Sequence, residues 1–126
     1  VLPVGSGGTV AGFCSGLSPE KIVLGISSLK VDVHYLQTEF QRLTNPTGPK
    51  QPEWILDYHF GGFGKSNAEL KDFCRAFFDE NGFRIEPVYS GKAFFAVSDL
   101  ARKGHFPRGS RLLLVHTGGI FPWNFP

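Results

Sequence analysis

The chain has 126 residues, with 13 basic and 11 acidic side chains and a formal net charge of +2. This length suggests one domain that buries about two thirds of its unfolded surface. The hydrophobic fraction of 41% is typical of a globular protein, and no apolar run is long enough to cross a membrane. The basic residues are scattered along the sequence, which argues against nucleic acid as a partner.

The first half of the chain alternates short apolar runs with helical patterns. The predicted elements are, in order, a strand at 1–4, a helix at 9–17, a strand at 22–26, a helix at 31–43 and a strand at 54–59. The run at 22–26 is continuously apolar, which is typical of a strand covered on both faces. In the second helix, apolar residues recur at helical spacing until Asn45-Pro46 ends the pattern.

The second half begins with the most strongly patterned helix. Ser66 and Glu69 form a capping-box signature that predicts its start, and Gly82 predicts its end. An extended segment is predicted at 84–88, and another helix at 91–103 that Gly104 closes. The last apolar run, 111–115, is predicted to be a final strand.

This alternation predicts an α/β fold, with a mostly parallel, doubly wound, Rossmann-like sheet of about four strands and helices on both faces. Ligands of such sheets lie at the carboxyl ends of the strands. Three glycine-rich segments, at 5–8, 61–64 and 118–119, each follow a predicted strand. We therefore expect these segments to lie along one edge of the sheet.

The segment Gly5-Ser6-Gly7-Gly8-Thr9 lies between the first strand and the first helix. Glycines allow positive φ and a close approach of the backbone to a ligand, and the first turn of a helix has unpaired N–H groups. The segment thus predicts a phosphate site built from the backbone amides and the Thr9 hydroxyl. A plain strand-to-helix turn is the alternative.

Two nucleotide-binding fingerprints fail at single positions. The pattern G-x-G-x-x-G would need a glycine where Val10 stands, and a Walker loop would need one where His59 stands. Ser90 precedes a predicted helix, where its hydroxyl either caps that helix or faces a ligand. Tyr89 is a candidate for acid–base chemistry, which requires neighbours that lower the pKa of its phenol.

Cysteines and histidines offer no further site. Cys14 and Cys74 fall far apart in predicted helices, and we interpret both as small apolar residues in a reducing compartment, which predicts a cytoplasmic location. The four histidines lack metal-ligand spacing, so no metal is assigned. Because the chain starts at Val1 within a predicted strand and contains no Met, we expect that an upstream part is missing.

Three segments taken together resemble one family: Gly5 to Thr9, Glu86-Pro-Val-Tyr-Ser-Gly-Lys92 and His116-Thr-Gly-Gly119. The family is the fold type II pyridoxal-phosphate enzymes, in the branch of D-cysteine desulfhydrase and 1-aminocyclopropane-1-carboxylate (ACC) deaminase. The resemblance covers nearly the whole chain but only the carboxyl-terminal part of such an enzyme. It implies that residues 1–126 are a single α/β piece of the cofactor-binding region of a larger, homodimeric enzyme.

The resemblance also implies roles for individual residues. The segment from Gly5 to Thr9 would hold the phosphate of pyridoxal 5'-phosphate, and Tyr89 would have a catalytic or substrate-binding role. Ser90 and Thr117 would approach the pyridine nitrogen. The deaminase branch typically has glutamate and leucine at these two positions, so the chain resembles the desulfhydrase side more closely.

Two departures from the family pattern bear on activity. Phe63 stands where the family often has a tyrosine, and the lysine that carries the cofactor as a Schiff base belongs to an upstream region absent here. Lys92, at the start of a helix, is expected to stay protonated and solvated. We expect a fragment of a lyase that eliminates a small group from a small amino acid and is inactive alone. The alternatives are an ACC deaminase or a non-catalytic module that binds phosphate or a nucleotide.

Overall fold

The computed structural model describes residues 1–119. Its elements are, in order, β1 Leu2–Val4, α1 Gly8–Gly16, β2 Leu24–Ser27, α2 Val33–Leu43, β3 Glu53–Ile55, α3 Ala68–Asn81 and α4 Ser90–Arg102. Within the described residues the three strands form one parallel sheet in the order β1-β2-β3. The α/β fold class predicted from the sequence is confirmed.

Apolar side chains cover the sheet in two clusters. One cluster joins β1 to α1 and α2 through Leu2, Val4, Val10, Ala11, Cys14, Leu36 and Phe40. The other cluster contains Ile26 of β2 and, from α3 and α4, the residues Leu70, Cys74, Ala93, Phe95 and Ala96. Burying a large apolar side chain contributes roughly 1.5–3 kcal/mol, so these clusters hold the helices against the sheet.

Side-chain caps set the start of two helices. The carboxylate of Asp32 accepts a hydrogen bond of 2.8 Å from the N–H three residues on, so α2 begins just after it. The amide oxygen of Asn67 does the same for α3 at 2.9 Å. The prediction that Ser66 caps this helix is therefore wrong by one residue, whereas Gly82, with a φ of 75°, ends α3 as predicted.

The predicted strand at 111–115 is wrong. The backbone of Val1 makes two hydrogen bonds with this segment, accepting from Val115 N–H at 3.0 Å and donating to Leu113 O at 2.7 Å. The ladder stops there because the backbone of Pro3 faces the same side and has no N–H to donate. The segment therefore runs beside β1 without regular structure.

None of the helices in residues 1–119 has the length and apolar character needed to span a bilayer.

Candidate functional site

A cavity of about 240 Å³ lies where β1 ends and α1 begins. It is lined by Pro3, Val4, Gly5, Ser6, Gly7, Gly8, Thr9, Val10, Tyr89 and Thr117. These include seven of the eight residues predicted from the sequence to form the site, and Ser90 is the exception. In the described part of the chain, no three His, Cys, Asp or Glu side chains are grouped so that they could hold a metal ion.

The start of α1 presents to this cavity backbone donors that have no partner among residues 1–119. Its N-cap, Gly7, has a φ of 92°, and no side chain of the described residues caps the helix. The first helical bond runs from Ala11 N–H to Gly7 O at 3.0 Å, so the N–H groups of Gly8, Thr9 and Val10 have no acceptor within the helix. Together with the positive end of the helix dipole, these donors suit an anion such as a phosphate.

The three glycines of this segment serve different purposes. Positive φ, which only glycine adopts freely, occurs at Gly7 but not at Gly5 or Gly8, so that expectation is corrected for two of the three. Gly5 instead leaves room for an aromatic ring, since a Cβ there would lie 2.8 Å from Cε1 of Tyr89. A Cβ at Gly8 would meet nothing within 4 Å.

The ring of Tyr89 lies between two glycine-rich segments. On one side it packs against Gly5, and on the other it contacts Phe63, with ring centroids 5.9 Å apart and an interplanar angle of 57°. Phe63 is 62% exposed in the turn that follows β3. The phenol of Tyr89 therefore lies beside the cavity, where it can contact a molecule held by the amides of α1.

Glu86 builds the start of α4. Although it is buried, its carboxylate accepts hydrogen bonds from the backbone N–H groups of Val88, Tyr89 and Ser90, at 2.5, 2.9 and 2.6 Å respectively. Such charge-assisted bonds are short and strong, and here they fix the backbone of Tyr89. Sequence reasoning missed this residue, and the available signal was an acidic side chain just before a helix.

Ser90 does not face the cavity, which corrects its predicted place in the site. Its side chain is fully buried, and its Oγ donates to Oε1 of Glu86 at 3.0 Å and accepts from the Glu86 N–H at 3.1 Å. The hydroxyl therefore neither caps the helix nor points at a ligand. Its hydrogen bonds stabilise the buried carboxylate instead.

His116 holds Thr117 beside the cavity. Gly118 N–H donates to Nδ1 of His116 at 3.1 Å, and Nε2 lies 2.6 Å from the carbonyl oxygen of Arg84. Because Nδ1 acts as the acceptor, the proton is assigned to Nε2, which donates to Arg84. These two bonds place the exposed Thr117 in the lining of the cavity.

Lys92 is fully buried, so the expectation that it is solvated is wrong. Its Nζ donates to the carbonyl oxygens of His59 at 2.8 Å, Gly62 at 2.9 Å and Ser28 at 3.3 Å. Burial lowers the pKa of Lys92, and the nearby carboxylate of Glu86 opposes that effect. Three acceptors match the three N–H bonds of an ammonium, so we assign the charged form.

Comparisons with known proteins identify relatives of this chain. Residues 1–118 match the family model described as pyridoxal-phosphate dependent enzyme. A Pyrococcus horikoshii protein, provisionally named as an ACC deaminase, is 38% identical over 95% of this chain and 39% of its own length. An Allorhizobium ampelinum protein named ACC deaminase is 31% identical over 87% of this chain and 32% of its own length.

A solved structure supports the same relationship. The crystal structure of an ACC deaminase homologue superimposes with a TM-score of 0.78 at 36% sequence identity, covering 95% of this chain and 39% of that one. The chain thus spans about two fifths of the length of the proteins it matches. Because the family model matches residues 1–118, the chain belongs to the pyridoxal-phosphate-dependent enzymes.

Proposed function

We propose that this chain supplies the phosphate-holding side of the cofactor site in a lyase or deaminase that acts on a small amino acid. The cavity at the start of α1 supports this proposal most directly, because its donors suit a phosphate. Its volume of about 240 Å³ falls below the roughly 300–1,000 Å³ of complete ligand sites. A cavity of this size fits one part of the cofactor, with the rest covered from elsewhere.

Each residue around the cavity has a proposed task. The N–H groups of Gly8, Thr9 and Val10 hold the phosphate through charge-assisted bonds of about 1.5–3 kcal/mol each, which outweigh a helix-dipole contribution of about 0.3–1 kcal/mol. Thr117 provides a hydroxyl in the lining of the cavity, for contact with the pyridine ring. Tyr89 excludes water from one side and holds or donates a proton at its phenol oxygen. Bound pyridoxal phosphate supplies the electron-withdrawing ring.

The preferred reaction is the elimination catalysed by D-cysteine desulfhydrase, which yields an α-keto acid, ammonia and sulfide as the leaving group. Thr117 lines the cavity and supports this choice, whereas Ser90 does not line it and favours neither reaction. The names of the similar proteins favour ring-opening deamination of ACC as the second candidate. For the longer protein we propose a homodimer in the cytoplasm.

A chimera would separate the two reactions. This chain would replace the matching 39% of the Pyrococcus horikoshii relative, which supplies the remaining length. We expect sulfide release from D-cysteine to exceed 2-oxobutanoate formation from ACC, and Thr117→Leu to reduce that preference. Faster turnover of ACC by the chimera would favour the deaminase instead.

Gly7→Ala should weaken the binding of pyridoxal phosphate and of inorganic phosphate to the 126-residue chain. A Cβ at a φ of 92° is strained, so the loop must shift and misplace the N–H donors. Loss of one such bond predicts about a tenfold weaker Kd by calorimetry. Gly8→Ala is the matched control, since its Cβ would meet nothing within 4 Å and its φ is not positive.

Equal affinities for Gly7→Ala and Gly8→Ala would contradict the role of these amides. A preference of the unchanged chain for adenosine nucleotides over pyridoxal phosphate would instead favour a non-catalytic nucleotide-binding module.

The isolated chain should bind the cofactor without forming a covalent adduct on Lys92. Its Nζ is occupied by three carbonyl oxygens and lies outside the cavity. After incubation with pyridoxal phosphate and borohydride, peptide mass analysis should find Lys92 unmodified, and D-cysteine should release no sulfide above the rate with free cofactor. Specific labelling of Lys92 would contradict the proposal that the chain alone is inactive.

A further inference from the structure

The ammonium of Lys92 connects three parts of the fold. It extends from α4 and binds the carbonyl oxygen of Ser28, which follows β2, and those of His59 and Gly62, which follow β3. All three N–H bonds of the ammonium are used, and its side chain is 0% exposed. A buried charge with this many partners restricts the backbone segments that it binds.

The segment held on the β3 side, the 59–64 loop (residues 59–64), has an unusual backbone. Its φ angles are 52° at Phe60, 100° at Gly61, 124° at Gly62 and 67° at Gly64. A non-glycine residue at positive φ is costly and persists only where its surroundings hold it. Within the loop, Gly61 N–H donates to Nδ1 of His59 at 2.9 Å and Gly62 N–H donates to His59 O at 3.1 Å. The ring of Phe60 packs against that of Phe95, with centroids 5.1 Å apart. Lys92 adds the side-chain hydrogen bonds to the carbonyl oxygens of His59 and Gly62.

The 59–64 loop in turn carries the aromatic neighbour of Tyr89. Phe63 extends from it to contact the ring of Tyr89 at 5.9 Å between centroids. The backbone of Tyr89 is fixed separately by Glu86, so the contacts described for its ring are those with Phe63 and Gly5. Movement of the 59–64 loop would therefore remove one of the two surfaces that orient the ring.

We propose that Lys92 is a positioning residue for Tyr89, because its ammonium fixes the 59–64 loop and that loop holds the tyrosine ring at the cavity through Phe63. That the cavity binds a cofactor rests on the proposed function. That Lys92 determines the position of the Tyr89 ring concerns only residues of this chain. Lys92 does not line the cavity and therefore acts through the loop.

Fluorine NMR of the 126-residue chain labelled with 3-fluorotyrosine tests the proposal. The chain has three tyrosines, so each resonance can be assigned by a Tyr→Phe variant. Phe63→Ala removes an exposed side chain, and we expect it to shift the Tyr89 resonance while the protein stays folded. Lys92→Ala should cause a shift in the same direction, and Tyr35 on α2 should not respond in either variant.

Chemical rescue distinguishes positioning from general destabilisation. Lys92→Ala removes three carbons and an ammonium, which propylammonium replaces, whereas propanol supplies the same carbons without charge. We expect propylammonium, but not propanol, to return the Tyr89 resonance toward its position in the unchanged chain. Calorimetry should show that Lys92→Ala weakens the binding of pyridoxal phosphate by about fivefold, roughly 1 kcal/mol, with inorganic phosphate unaffected.

The outcomes separate this proposal from the function on which it rests. If the unchanged chain binds neither pyridoxal phosphate nor inorganic phosphate, the proposed function fails. The Tyr89 resonance would still test whether Lys92 positions the Tyr89 ring. An unmoved Tyr89 resonance in Phe63→Ala overturns the positioning proposal, even if Lys92→Ala does not fold. The positioning proposal is also overturned if propylammonium and propanol reverse the shift of the Tyr89 resonance in Lys92→Ala equally.

Discussion

Replacing Glu86 by glutamine should lower the free energy of unfolding by about 3 kcal/mol, which is a large part of the roughly 5–15 kcal/mol that stabilises a typical domain. Both carboxylate oxygens of Glu86 accept hydrogen bonds. Oε2 accepts from the N–H of Val88, Oε1 accepts from that of Ser90, and the N–H of Tyr89 donates to both. A glutamine side chain of the same shape would turn an NH2 group toward N–H donors. Buried donors would then be left without acceptors, and Lys92 would lose a neighbouring negative charge.

Urea denaturation followed by circular dichroism measures this loss. Glu80→Gln is the matched control, because Glu80 is exposed on α3 and its substitution should change stability by less than about 0.5 kcal/mol. In the 3-fluorotyrosine spectrum, Glu86→Gln should also shift the Tyr89 resonance, since the carboxylate fixes the backbone of that residue. Equal stabilities of the two variants would show that the carboxylate is not the cap of α4.

The fold was predictable because its signals are local. A strand covered on both faces is apolar along its length, and the run at 22–26 is continuously apolar. Residues 24–26 of this run lie in β2. Helix ends follow short-range patterns, and Gly82 ends α3 as predicted. A strand prediction fails where the neighbouring strand decides whether a ladder forms. The apolar run at 111–115 has the pattern of a strand, but it lies beside Pro3, which cannot continue the ladder.

In the candidate site, too, the sequence predicts the features that depend on neighbouring residues and not those that depend on distant ones. The donors at Gly8, Thr9 and Val10 belong to one strand–helix junction, so a short stretch of sequence predicts them. Lys92 could not be placed from the sequence, because its acceptors are backbone carbonyls that lie 30 to 64 residues away and any residue type could supply them. The place of Ser90 could not be predicted either, because it depends on hydrogen bonds to Glu86 and not on the position of Ser90 before a helix.

Gly91→Ala should destabilise the protein by about 3 kcal/mol, even though alanine is the better helix former. Gly91 lies where α4 crosses α3, and a Cβ there would lie 2.5 Å from the carbonyl oxygen of Glu86 and 2.7 Å from Sγ of Cys74. The carbonyl cannot move aside without breaking its hydrogen bond of 2.7 Å from Gly91 N–H. To admit one methyl group, the turn before α4 must therefore give up this bond, and α3, which carries Cys74, must move away from α4.

The same substitution at Gly12 should have the opposite sign. Gly12 is exposed within α1, and a Cβ there would meet nothing within 4 Å, so Gly12→Ala should stabilise the protein by about 0.5–1 kcal/mol. Cys74 reports the separation of α3 and α4 independently, because burial raises the pKa of its thiol to about 12 and protects it from alkylation at pH 8. Iodoacetamide should modify Cys74 faster in Gly91→Ala than in Gly12→Ala, as measured by peptide mass analysis. Equal protection, together with an unchanged unfolding midpoint for Gly91→Ala, would show that α3 and α4 are not in close contact at this position.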